Sequence, residues 1–361
     1  MTRADFETSF PAERVANRDM AAELKAKVLY TKADAQEWAE RHADAKMPVM
    51  GSGGNLRPFN GKKATELGLE LGADYFDPRW EQVLDQIKSS ELDDLVLHGY
   101  VQEVEIATVG KDKTSSVDGP SQIGSFNQIP GTGFPMPTVL AQSFNVELAR
   151  SFGLAVGAEA QAMGYSGWYA PGINMHRSPF GGRNYEYYSE DPMLTGLIAA
   201  GVSKGSLQTG TYLYAKHMIG YDQESYRDGL YCWMTEQTLR DVYLKPFKIA
   251  MDKGGLTGVM TAYGRIGAVW SGGSEALLTD LLRDEWGFNG AVLTDYADHH
   301  NFMNGDQIIR AGGDLWMDGW LSNGSFKQEK TSAAFRQAER DAAHHVLYMI
   351  LNAAYIHSNY D

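Results

Sequence analysis

Short apolar runs alternate along this chain with longer stretches of helical spacing. The strand-like runs are Ile106–Val117, Trp168–Asn174, Tyr212–His217, Leu256–Tyr263, Gly290–Tyr296 and Asp314–Met317. Between and after them, helical patterns cover Leu194–Leu207, Thr235–Met251, Ser274–Trp286, Ile308–Ala311 and Ser332–Ala354. Strands that alternate with helices at spacings of about 25 to 45 residues indicate a parallel sheet built of βα units.

Charged or polar residues stand at the end of nearly every predicted strand, as on the catalytic face of a (β/α)8 barrel. The length of 361 residues accommodates one barrel of about 250 residues and an appendage. We therefore predict an α/β fold, a (β/α)8 TIM-type barrel of regular, irregular or incomplete form. Residues 1–76 are predicted to be a polar lead-in or linker, and residues 77–361 the barrel domain.

The pattern also predicts helices outside the βα units. In the lead-in, Pro11–Val28 and Ala33–Ala45 have helical composition, and a helical pattern from Trp80 to Val96 is interrupted at Ser89 and Ser90. A further stripe that recurs every four residues is predicted to face a sheet; it consists of Leu140, Phe144, Leu148, Phe152 and Val156.

Charge and composition narrow the function classes. A net charge of −14 argues against nucleic acid, which needs a cationic face, whereas 8 Trp and 19 Tyr suit stacking on neutral sugars. Cys232 is the only cysteine, so neither disulfides nor a thiolate metal cluster are expected. Without an apolar h-region at the N-terminus or an 18-residue apolar run, we expect no signal peptide, no membrane span, and a cytoplasmic or undetermined location. No nucleotide motif or metal-ligand spacing occurs, and no cofactor or metal is predicted.

The strongest candidate for chemistry is the stretch Gly172–Asp191, GINMHRSPFGGRNYEYYSED. It contains two arginines, a histidine, three acids and four aromatic rings. Few of its residues are therefore typical of a hydrophobic core. It follows a strand and precedes a helix, where barrels place functional loops. Arg183 follows two glycines, so its guanidinium sits on backbone that can approach a ligand closely. The alternative is a surface loop whose arginines pair with the neighbouring acids.

Three strand ends carry further candidates. Asp118 lies on a tight turn before Gly119-Pro120, Lys216 and His217 end one apolar strand, and Asp295 ends another beside Tyr296. Each also has a purely structural interpretation. Asp118 can be an ordinary turn residue, the Lys-His pair can hold neighbouring acids, and Asp295 can cap a helix.

The Gly172–Asp191 loop resembles the signature loop of the family 3 glycoside hydrolases, exo-acting β-glucosidases and their relatives. DGP at Asp118, KH at Lys216, VMTAY and WGFNGAVLTDY resemble further motifs of that family, in family order. The resemblance implies that Asp295 is the nucleophile. It also implies a sugar-binding site made of Asp118, Arg183, Lys216, His217, Met260, Tyr263 and Tyr296.

The implied function is that of a retaining exo-acting β-glycosidase, which releases a terminal non-reducing β-D-glucosyl residue through a covalent glycosyl–aspartate intermediate. β-Linked glucosides or oligosaccharides would be its substrates. Members that hydrolyse N-acetylglucosaminides carry a KHFPGHG-type motif, whereas this chain has KHMIGYDQESYRDG, with Tyr221 in place of the usual Asn. Glucosides are therefore expected to be preferred over N-acetylated sugars.

The proton donor is the part that the resemblance does not supply. In two-domain relatives it is a glutamate on a separate α/β sandwich domain of about 200 residues, which neither end of this chain can hold. The chain is thus interpreted as the barrel half of something larger or as a reduced form, with Glu224 first, then Glu186 and Glu190, as local substitutes. One alternative is a catalytically impaired barrel that binds sugar or a partner protein. Another is a barrel that needs a second domain, a second subunit or a homo-oligomer to be active. A third is a Schiff-base aldolase that uses Lys216.

Overall fold

The structure is a computed structural model that describes residues 22–23, 29–124, 128–227, 230–297, 303–318 and 331–360. The helices are α1 Lys32–Arg41, α2 Glu66–Ala73, α3 Arg79–Gln86, α4 Ser89–Leu97, α5 Pro137–Gln142, α6 Val146–Ala162, α7 Pro192–Leu207, α8 Glu236–Thr238, α9 Lys245–Gly254, α10 Gly305–Arg310 and α11 Ala333–Ser358. The strands are β1 Phe59–Asn60, β2 Lys63–Ala64, β3 Gln102–Glu103, β4 Thr114–Asp118, β5 Gly167–Tyr169, β6 Tyr212–Leu213, β7 Ala215–Met218, β8 Tyr231–Cys232, β9 Gly258–Thr261, β10 Arg265–Ile266, β11 Val269–Trp270 and β12 Ala291–Leu293. Helical turns of π type cover Leu239–Leu244 and Ala276–Glu285, and 3-10 turns cover Ala107–Val109, Asn184–Glu186 and Ser271–Gly273.

Parallel strands form the centre of the molecule in chain order. β4 pairs with β5 and β5 with β6, while β7 pairs with β9 and β9 with β12, all in parallel. Only Tyr214 separates β6 from β7, and a parallel bridge joins Leu293 to Leu315. The βα reading of the sequence is confirmed, although the strand predicted from Ile106 begins only at Thr114, after a 3-10 turn.

The central parallel strands are covered on both faces, even where they carry polar side chains such as Lys216 and His217 of β7. Every residue of β5, β7, β9 and β12 is buried. Parallel strands are usually buried on both sides, since the connecting helices return over the sheet faces. Only the strand ends and the loops after them are left to contact a ligand.

The described residues have a TIM-barrel-like α/β arrangement with mixed sheets. β3 runs antiparallel to β4, with Gln102 opposite Ser115. The segment Asp314–Met317, which was predicted to be a strand, pairs with Leu293 by a single bridge. On its other side, the Trp316 backbone exchanges hydrogen bonds with Val96 and Gly99 over 2.8 and 2.9 Å. No closed eight-stranded barrel is present in the described part of the chain, and that detail stays a prediction.

The predicted helical stripe is divided between two helices and is only partly buried: Leu140 lies on α5, Phe144 in the link, and the other three residues on α6. Phe144 is 75% exposed and Leu148 48% exposed, while the buried face of the helix consists of Ala149, Gly153, Val156, Gly157 and Ala160. A Cβ on Gly153 would lie 2.1 Å from the Val202 carbonyl oxygen of α7. The two helices therefore pack through small residues, which allow their backbones to approach closely, and the larger side chains face outward.

The lead-in and the C-terminal helix contact the rest of the chain. α1 confirms the Ala33–Ala45 prediction and pairs Arg41 with Glu275 over 2.6 Å. α2 packs against α11, where a Cβ on Gly72 would meet the Leu351 carbonyl at 2.2 Å. The helix predicted over Pro11–Val28 lies outside the described residues except for 22–23, and the boundary at residue 76 stays a prediction. No described helix has the length and apolarity to cross a bilayer.

Candidate active site

The candidate residues converge where the parallel strands end. Asp118 is the last residue of β4, Lys216 and His217 belong to β7, and Asp295 follows β12 by two residues. The Lys216 Nζ donates to Asp118 Oδ1 over 2.6 Å, and His217 Nε2 lies 3.6 Å from Asp295 Oδ2. The side chains of three non-adjacent segments thus share one site, because the carboxyl ends of parallel strands meet at one edge.

Asp295 is a buried carboxylate with one oxygen left available. Its Oδ1 accepts the Tyr296 backbone N–H over 2.7 Å, while Oδ2 has no hydrogen-bond partner within the described residues. Burial raises the pKa of Asp295 to about 6, and Arg183, Arg227, the Tyr296 N–H and Lys216 oppose that rise. A helix N-cap would instead accept from an N–H two or three residues later, so the contacts described here do not favour the capping alternative.

His217 is held neutral beside this carboxylate. Its backbone exchanges hydrogen bonds with the Asn174 side chain over 2.6 and 2.7 Å, and its Nδ1 lies 3.2 Å from the Tyr187 hydroxyl. Complete burial lowers the pKa of His217 well below its usual value, and Arg183 and Lys216 add to that effect. The same Nδ1 lies 3.3 Å from the Asn174 Oδ1, and the Nε2 on the other side of the ring faces Asp295 Oδ2.

The pair of Lys216 and Asp118 lies at the base of the site. Lys216 is 3% exposed, and Asp118 Oδ1 also accepts the Gly119 N–H over 2.7 Å. Lys216 therefore does hold a neighbouring acid, as the structural alternative expected, but it does so within the site. Its ammonium is engaged by a carboxylate, which disfavours its use as the free amine of a Schiff base.

Arg183 makes the contacts expected from both interpretations of its sequence, the structural loop arginine and the site residue. Its Nε donates to Glu186 Oε1, as a purely structural loop arginine would. Its Nη1 also donates to the Tyr221 hydroxyl over 3.0 Å, which turns the guanidinium toward the other candidate residues. These contacts place Arg183 beside Tyr221, and its role in sugar binding stays a prediction.

The remaining predicted residues form the wall beside Asp295. Met260 is buried in β9, with Lys216 and Leu293 as its partners on either side. Tyr263 donates its hydroxyl to the Tyr296 carbonyl oxygen. The loop that carries Asp295 is therefore tied to the end of the neighbouring strand.

Four residues of this arrangement were not assigned to the site from the sequence: Asn174, Tyr187, Tyr221 and Arg227. The last two lie in the KHMIGYDQESYRDG segment, where Tyr221 was noted only as a departure from the family's Asn. Asn174 and Tyr187 are in the Gly172–Asp191 loop, so proximity to Arg183 was the signal that could have found them. No group of histidine, cysteine or acidic side chains in the described part of the chain could hold a metal ion.

The chain belongs to glycosyl hydrolase family 3, since the model of that family's N-terminal domain matches residues 117–317. A β-glucosidase of Rhizobium radiobacter is 35% identical over 241 residues, which are 65% of this chain and 29% of the relative. A β-glucosidase of Ruminococcus albus is 36% identical over 210 residues, 55% of this chain and 22% of the relative.

Solved structures of β-glucosidases share the fold of this chain. A β-glucosidase from Paenibacillus barengoltzii superposes with a TM-score of 0.73 at 28% identity, covering 89% of this chain and 37% of that one. β-Glucosidase 3B from Thermotoga neapolitana in complex with α-D-glucose gives a TM-score of 0.67 at 29% identity, covering 78% and 44%. The chain spans less than a third of the length of the Rhizobium radiobacter and Ruminococcus albus β-glucosidases and less than half of these two solved chains.

Proposed function

We propose that this chain supplies the nucleophile and the sugar-binding site of a retaining exo-acting β-glycosidase, in which Asp295 forms the glycosyl–aspartate intermediate. The observation that carries the proposal is the Asp295 carboxylate, buried beside cationic groups and with Oδ2 unbonded within the described residues. In such a site a carboxylate can attack the anomeric carbon while the departing group leaves on the opposite face. The substrate would be a β-linked glucoside or oligosaccharide, with the terminal non-reducing glucosyl residue in the site.

The roles proposed for the neighbouring groups follow from their charge and position. Asp118 offers an acceptor and Lys216 and Arg183 offer donors to ring hydroxyls, while neutral His217 can donate without competing with Asp295 for a proton. Such hydrogen bonds accelerate cleavage to the extent that they tighten as the oxocarbenium character develops. Met260, Tyr263 and Tyr296 would form the wall against the sugar ring, within a (β/α)8-type barrel over residues 77–361.

The proton donor is proposed to come from outside the described site. Glu186 is buried against Arg183. Glu224 accepts the Tyr221 hydroxyl with Oε2 over 2.6 Å and the Arg227 guanidinium with Oε1 over 3.1 Å, so both of its oxygens already have partners. Glu190 is solvent-exposed. A second domain or subunit that completes the site therefore remains the proposal, and the relatives named above are long enough to contain one.

Leaving-group dependence tests this assignment. Loss of an acid catalyst costs about 10² to 10⁴ in rate, chiefly with poor leaving groups. The chain alone should cleave a dinitrophenyl β-glucoside measurably and cellobiose hardly at all, and a 2-deoxy-2-fluoro glucoside should label Asp295, as peptide mass spectrometry would show. Label on another acid would move the nucleophile. Brisk cellobiose hydrolysis that Glu224→Gln abolishes would make Glu224 the donor.

A sugar-binding barrel without turnover is the second candidate, favoured by the absence of a free glutamate among the described residues near Asp295. Neither labelling nor turnover, together with measurable glucose binding by calorimetry, would support it.

A further inference from the structure

Tyr221 has an unusually constrained position beside the nucleophile. The side chain is 3% exposed, and its ring stacks on the His217 imidazole with centroids 4.6 Å apart and planes inclined by 30°. The Tyr263 ring meets it edge-on at 6.4 Å. Aromatic contacts on two sides therefore leave the phenol ring a single orientation, and its hydroxyl points to one place.

That hydroxyl joins two loops that come from different strands. Arg183, in the loop after β5, donates to it over 3.0 Å, and Arg227, in the loop after β7, donates over 2.7 Å. The hydroxyl donates in turn to Glu224 Oε2 over 2.6 Å. A phenol has one proton to give and two lone pairs to receive, so these three bonds use its full capacity.

The two guanidinium groups that meet at Tyr221 also act on the nucleophile. Both oppose the rise that burial causes in the pKa of Asp295. The titratable and charged groups that face Asp295 come from three segments and comprise Arg183, Tyr187, Lys216, His217, Tyr221 and Arg227. Of the three cations in this group, Arg183 and Arg227 are the two that donate to the Tyr221 hydroxyl, whereas Lys216 donates to Asp118.

We propose that Tyr221 is a positioning residue of the glycosidase reaction, whose hydroxyl holds Arg183 and Arg227 beside the Asp295 carboxylate, with Glu224 as the counter-charge of this clamp. The inference rests on the proposed function, because that function gives Asp295 the role of a nucleophile, which must be ionised. It departs from the family pattern that this segment resembles, where an asparagine stands at the position of Tyr221.

Removal of the hydroxyl should change the charge around Asp295 and leave the packing intact. In Tyr221→Phe the ring can still stack on His217, but the guanidinium groups lose their common acceptor. Glu186 and Glu224 then compete for them directly, because an arginine that loses one hydrogen-bond partner pairs with the nearest carboxylate. Without the shared acceptor, Arg183 is held by Glu186 and Arg227 by Glu224, and we expect the positive charge near Asp295 to decrease.

The test is the pH dependence of labelling by a 2-deoxy-2-fluoro glucoside. The rate in the native chain should follow the ionised fraction of Asp295, with its midpoint near pH 6. Tyr221→Phe should move this midpoint upward by about one pH unit, as expected when charge-assisted hydrogen bonds are disturbed. Tyr226→Phe is the matched control, because Tyr226 is 55% exposed in the same segment and its change should leave the midpoint in place.

Carbon-13 NMR titration of the Asp295 carboxyl carbon, assigned by its loss in Asp295→Asn, gives a second readout that needs no turnover. An upward shift in Tyr221→Phe supports the clamp even if the native chain is never labelled, a result that would count against the proposed function alone. Identical midpoints in Tyr221→Phe and the native chain would overturn the inference. If Tyr221→Phe does not fold by circular dichroism, Arg227→Gln replaces it, with the same upward shift expected and an unchanged midpoint as the contrary result.

Discussion

Replacement of the nucleophile candidate should stabilise the protein, and by an amount that depends on pH. The ordinary pKa of an aspartate is 3.8 and burial raises that of Asp295 to about 6. Between these values the folded state binds the proton more tightly than the unfolded state, so rising pH costs stability. The difference of roughly two pH units corresponds to about 3 kcal/mol of folding free energy, fully lost above pH 6.

Asp295→Asn removes that cost, because an amide of the same shape does not ionise and its oxygen can still accept the Tyr296 N–H. The cationic neighbours keep other partners, Asp118 for Lys216 and Glu186 for Arg183. We expect the variant to be more stable than the native chain by up to about 3 kcal/mol at pH 7.5 and by much less at pH 4. Urea unfolding at several pH values measures this, since the midpoint scales with stability at constant slope.

The control is Asp44→Asn, which changes a solvent-exposed aspartate and should show no comparable pH dependence. A gain of the same size at pH 4 and pH 7.5 would refute the linkage argument, because it would come from packing and not from ionisation. Loss of stability at pH 7.5 would show that the carboxylate is a net stabiliser of Arg183, Arg227 and Lys216, contrary to the balance described here.

Two further predictions concern packing and specificity. Gly153→Ala should destabilise the fold by about 1–3 kcal/mol, because the new Cβ would lie 2.1 Å from the Val202 carbonyl oxygen. Gly53→Ala is the control: its Cβ meets nothing within 4 Å, so thermal unfolding should show almost no change. Equal effects of the two substitutions would contradict the close contact of α6 and α7. In competition at equal concentration among p-nitrophenyl β-glucoside, β-xyloside and β-N-acetylglucosaminide, the glucoside should be cleaved in preference to the N-acetylglucosaminide, because Asp118, Lys216 and Arg183 are suited to bare hydroxyls. Preference for the N-acetylated sugar would refute that assignment.

The sequence by itself determined which strand-end residues share the site. Asp118, Lys216 and Asp295 are far apart in the chain, but each was predicted to lie at the end of a strand, and the ends of successive parallel strands lie along one edge. Their order in the chain was therefore enough to predict that they meet. The contacts of Lys216 with Asp118 and of His217 with Asp295 agree with that expectation.

Only the tertiary structure decided what surrounds them. Tyr221 and Arg227 lie in a loop whose path no periodicity specifies, and their contact with Arg183 depends on where two loops meet in space. The buried face of α6 was likewise misjudged, because glycine and alanine add little to a hydropathy pattern although they permit the closest helix contacts. Strand order is encoded locally by apolar runs, whereas loop contacts and helix faces are settled by packing between distant parts of the chain, which a single sequence does not display.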